Sequence, residues 1–147
     1  MPKQEVLVNG QKVEFEAAPR LNILVPDPGM RVEVPSHTEI NGRNTLEFMS
    51  KMPDKKWQWI STGPLFKGLF NELFESSEIK LPSTIAELMK MGNDVIHASG
   101  LIIMCFEAAV ERHENVFLNM PEEHLHPKQQ RNLVTVLDKI QGLSQEG

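Results

Sequence analysis

The sequence predicts an α+β fold: an N-terminal antiparallel β-meander of about four strands followed by about three helices. Three observations carry this prediction. Val6, Val8, Val13 and Phe15 alternate on the two sides of Asn9-Gly10. Leu-Phe-x-x repeats three times between Leu65 and Ser76. Leu133, Val136, Leu137, Ile140 and Leu143 recur at spacings of three and four, the signature of one apolar helical stripe.

Taken in chain order, Asn9-Gly10 is a two-residue hairpin signal, because both central positions of a type I′ turn need positive φ. In that register Val6 faces Val13, and the four apolar residues share one face opposite Glu5, Leu7, Lys12 and Glu14. A second alternating pair is expected at Leu21, Ile23, Val25 and Met30, Val32, Val34, joined by Pro26-Asp27-Pro28-Gly29. Beyond Pro35 the pattern weakens. Asn41-Gly42 reads as a turn, Thr45 to Met49 fits strand or helix, and Trp57-Gln58-Trp59-Ile60 reads as a short strand with both indoles on one side.

After Gly63 the pattern is helical. Pro64 suits a first helical turn, where its missing N–H costs nothing, and the Leu-Phe helix starts there. Ser76-Ser77 and Leu81-Pro82 separate it from a long helix that opens with a Thr84/Glu87 capping box and keeps helical spacing to about Asn115. Gly92 and Gly100 are its weak points. A last helix opens at Pro127, after His126, and frays from Ser144 to Gly147. One domain, 1–147, is expected, with a β-rich part at 1–60 and a helical part at 64–143.

Composition bounds the function. With 40% hydrophobic and 24% charged residues the chain is of ordinary soluble type, and no apolar run approaches a membrane span. The N-terminus lacks the apolar core of a secretory signal, so a cytoplasmic location and no membrane partner are expected. A formal charge of −5 argues against a large nucleic-acid footprint. Cys105, the single cysteine, lies in an apolar run where a thiol is inert and packs. No Gly-x-Ser-x-Gly, phosphate-cradling glycine loop or dinucleotide fingerprint occurs, tyrosine is absent, and Ser36-His37 adjacency is no catalytic geometry. No enzyme activity and no cofactor are expected.

Metal is not expected either. Asp94 with His97, the trio Glu107, Glu111 and Glu114, and the segment Glu122-Glu123-His124-Leu125-His126 contain ligand types, but not the paired Glu-x-x-His of a carboxylate-bridged bundle. The three glutamates read as a solvated face partly paired with Arg112.

What remains is a protein-contact role. The Leu-Phe helix sweeps six large apolar side chains across about half a cylinder, at about 100° per residue, and something must cover them. A core helix is the plain reading. The functional one is an interface made by Trp57, Trp59, Phe66, Phe70 and Phe74 against a protein partner or a second copy of the chain. Size and missing catalytic motifs give the chain the genre of small phage or mobile-element components, hence an assembly or adaptor protein, with a phage-type inhibitor docking on a host protein as the alternative. A weak single-stranded nucleic-acid site at Lys51, Lys55, Lys56, Trp57 and Trp59 is a further alternative, ammonium groups serving phosphates and indoles serving bases.

Overall fold

In a computed structural model of the chain, residues 3–16, 20–24, 27, 29–34, 38–75, 79–119 and 125–146 are described. The class is α+β, as the sequence predicts. Strands β1 (Lys3–Val8) and β2 (Gln11–Glu16) form the expected hairpin, with Val6 opposite Val13. Asn9 at φ 51° and Gly10 at φ 83° make its turn, both in the left-handed region that an Asn-Gly pair tolerates. Asn9 also donates its N–H to the Arg31 carbonyl and accepts the Arg31 N–H on its side chain, and so seats β4 (Val32–Glu33) antiparallel on the other edge of β1.

The rest of the meander does not form. Strand β3 (Leu21–Leu24) does not pair with β4; it runs parallel to β6 (Val116–Asn119), whose other edge takes β5 (Glu39–Ile40), also parallel. There are thus two three-stranded sheets, ordered β2-β1-β4 and β3-β6-β5. Met30 donates to Asp27 O and Gly29 is at φ 84°, but Val25, Pro26 and Pro28 lie outside the described residues. So do Ser36, His37, Ser76, Ser77 and residues 120–124, with the acidic part of the His124 segment.

Helices are more numerous than the sequence indicates. Asn41-Gly42 is no free turn: the Asn41 side chain accepts the Asn44 N–H and caps α1 (Gly42–Ser50). Residues 57–60 are not strand. They lie in α2 (Asp54–Ser61), which starts after Pro53 with Asp54 in its first turn. The Leu-Phe helix is α3 (Pro64–Phe74), with Pro64 in the first turn and Glu75 ending it at φ 51°. Thr84 caps only a short α4 (Ile85–Leu88), accepting the Glu87 N–H, because Gly92 ends that stretch and starts α5 (Asn93–Phe106). The helix then widens into a π turn (Glu107–Glu111), where Arg112 donates to Glu107 O five residues back. Helix α6 (Pro127–Glu146) opens where expected. His126 Nδ1 accepts the Lys128 N–H while Gln129 reaches back to the His126 N–H, a reciprocal cap. The helix runs to Glu146 with Ser144 buried, and Gly147 lies outside the described residues.

Helix α5 is the axis of the core. It is long and apolar enough, over Asn93–Glu111, to cross a membrane by composition, but 67% of that window is buried within the fold. Helix α1 crosses it at Gly100, where a Cβ would stand 2.7 Å from Thr45 Cβ and 3.1 Å from Thr45 Cα. Only hydrogen fits there. One turn earlier, buried His97 hydrogen-bonds through Nδ1 to the Thr45 hydroxyl, tying the same two helices. Helices α3 and α6 pack on another side, with Leu133, Val136, Leu137 and Ile140 all buried.

Candidate functional site

Helix α2 sets the two tryptophans apart. Positions two residues apart on a helix differ by about 200° in direction, so one indole goes in and the other out. Trp57 is 0% exposed, whereas Trp59 is 81% exposed. Trp57 Nε1 donates to the Pro82 carbonyl at 2.8 Å, Asp54 accepts the Ile85 N–H at 2.8 Å, and Gln58 donates to the Ser83 carbonyl at 3.0 Å. Three side chains of α2 thereby strap the 82–85 segment against the helices.

Behind Trp57 runs an aromatic file. Trp57 meets Phe66 edge-on with ring centroids 5.7 Å apart, Phe66 stacks on Phe70 at 5.7 Å, and Phe70 meets Phe74 at 4.9 Å. Phe66 and Phe70 are buried and Phe74 half-buried by this chain itself. Of the five residues expected at an interface, the structure therefore leaves Trp59 alone fully outside. Its companion is Leu65, one of the six apolar residues of the Leu-Phe helix but not of the five expected at the interface: it is 46% exposed, on the side of α3 turned from the core.

Trp59 and Leu65 rim a groove of about 470 Å³ between α2, α3 and the far end of α5. Ile60, Phe66, Leu69, Ile102, Ile103 and Phe106 line it, and its charged end holds Lys56, Glu107 and Glu111. Lys56 pairs with Glu107 at 2.7 Å, and Arg112 lies between Glu107 and Glu114. The expected pairing with Arg112 forms at Glu107 and Glu114, but the trio is not one solvated face: the Glu107 side chain is only 15% exposed and held by Lys56, while Glu111 has no ion pair among the described residues.

The alternative sites do not assemble into a surface. Lys51 is paired with Glu47 at the end of α1, Lys56 is occupied by Glu107, and Trp57 is inside, leaving Lys55 beside Trp59. Among the described residues no group of three His, Cys, Asp or Glu stands close enough to hold a metal. Cys105 is buried, and burial pushes its thiol up to about 12, so thiolate is scarce at neutral pH. Comparison with protein-family models, curated proteins and solved structures finds no match for the chain.

Proposed function

We propose that the chain is a non-enzymatic protein-contact module, working in an assembly or as an adaptor, and that it docks through the Trp59 groove. One observation carries this reading: a tryptophan 81% exposed on an ordered helix beside an apolar groove. Exposed indole is costly in a free monomer and is the residue type most often found at the centre of interfaces. The occupant is a helix of another protein, with apolar anchors to fill the groove and a basic residue to meet Glu111, which has no ion pair among the described residues. A host protein bound by an inhibitor would use the same contacts. A cytoplasmic setting belongs to the proposal, since a packed lone thiol needs no oxidising compartment.

The test compares the wild-type chain with Trp59→Ser/Leu65→Ser in quantitative capture from the source extract, followed by binding to the purified partner and sedimentation of the chain alone. The expected result is a partner bound by wild type and weakened by about thirtyfold or more in the variant, the usual cost of losing a central aromatic anchor. Equal binding by both proteins overturns the reading. Mass doubling that the variant abolishes would replace the heterologous partner with a second copy.

A further inference from the structure

We propose that a second cleft, walled by α2, α3 and residues 79–83, binds a small organic phosphate. The cleft measures about 550 Å³, within the range that holds a metabolite-sized ligand. Its charge is opposite to that of the chain. Two lysines line it, Lys67 from α3 and Lys80 from the facing segment, and none of the described lining residues is a carboxylate, although the sequence has 20 Asp and Glu and a formal charge of −5.

The lysines are also uncommitted. Lys12, Lys51, Lys56, Lys128 and Lys139 each hold a carboxylate within 4.0 Å. Among the described residues Lys67 and Lys80 hold none, as Lys55 and Lys90 also hold none, but only Lys67 and Lys80 line the cleft. A dianion in the cleft would meet the ammonium groups of both lining lysines.

Ser61 also lines the cleft; its hydroxyl makes no hydrogen bond among the described residues and opens onto the cleft rather than lying buried without a partner. Hydroxyls in this fold otherwise turn back on their own helices: Ser99 donates to Val95 O, and Thr62, the next residue, donates to Gln58 O. A hydroxyl facing the cleft can donate to a ligand oxygen placed there. Asn71 adds an amide on the α3 side, likewise without a partner among the described residues. Leu81 and Pro82 give the opposite wall apolar surface. Cations with a hydroxyl and an amide suit a phosphate monoester, and the apolar wall suits the carbon body it carries.

The test is a titration followed by backbone amide NMR, with phenyl phosphate, inorganic phosphate and phenol as probes. Phenyl phosphate should give saturable shifts centred on Ser61, Lys67, Lys80 and Ser83, with tighter binding than either fragment. Lys67→Gln and Lys80→Gln, at exposed positions that leave folding intact, should each weaken it by about tenfold, and Ser61→Ala by about threefold to tenfold. Lys90→Gln, an exposed lysine outside the cleft, should leave it unchanged. Shifts that grow linearly without saturation, or equal weakening by Lys90→Gln, would overturn the site. Phenyl phosphate binding no tighter than inorganic phosphate would overturn the organic ligand.

Discussion

The inner and outer faces of α2 and α3 are built from the same residue types and have opposite fates. Inside, Trp57, Phe66 and Phe70 form a file with its polar edge satisfied, the indole N–H being held by Pro82. Outside, Trp59 and Leu65 project beside a groove with nothing of the described chain to cover them. The difference teaches that side-chain hydrophobicity does not separate core from surface here; rotation about the helix axis does. Substitutions on the inner face should therefore act on stability, and those on the outer face on association.

Trp57→Ala tests the inner face most severely. Removing a fully buried indole leaves a cavity beside Phe66 and frees the Pro82 carbonyl, so a loss of about 3–5 kcal/mol is expected, seen as a Tm lower by roughly 10 °C or more. An unchanged Tm would put Trp57 on the surface with Trp59. Gly100→Ala probes the core from its other side. Alanine normally gains about 1 kcal/mol over glycine within a helix, but here its Cβ meets Thr45. A net loss of about 2 kcal/mol is expected by chemical denaturation, because α1 must move off α5 and strain the Thr45–His97 hydrogen bond. A net gain would mean the helices part freely.

Gly10→Val has a smaller effect, about 1 kcal/mol or more of destabilisation, since a β-branched residue resists φ 83°. Thermal melting at unchanged stability would show that the turn is not what fixes Val6 opposite Val13. Trp59→Ser should have the smallest effect on the isolated chain, within about 0.5 kcal/mol of wild type. A destabilisation as large as that of Trp57→Ala would erase the distinction between the faces.

What could be read in the sequence was local. The Asn9-Gly10 register, the Thr84/Glu87 cap, Pro64 at the head of α3 and Pro127 at the head of α6 each rest on residues within about ten positions of one another. What could not be read was non-local. Strand β6 is a four-residue strand with only three apolar residues, following a helix, and nothing near Val116 announces that its neighbours are β3 and β5. Residues 57–60 read as strand because two indoles and an isoleucine favour it by composition, whereas Pro53 and Asp54 start a helix under them. The same limit applies to the sites. The apolar half-cylinder of α3 was visible, but not which of its six large residues would stay uncovered; Lys67 and Lys80 become neighbours of one cleft only through the straps from α2.

The parallel insertion of β6 between β3 and β5 also has a temporal side. A chain emerging from the ribosome carries Leu21 and Ile40 long before Val116 exists, so both strands wait with open edges and apolar faces unshielded. Parallel pairing across such separations is slow even once the whole chain is available. The vulnerable interval of this protein is therefore its own synthesis, when a neighbouring nascent chain can occupy the slot that β6 alone should fill.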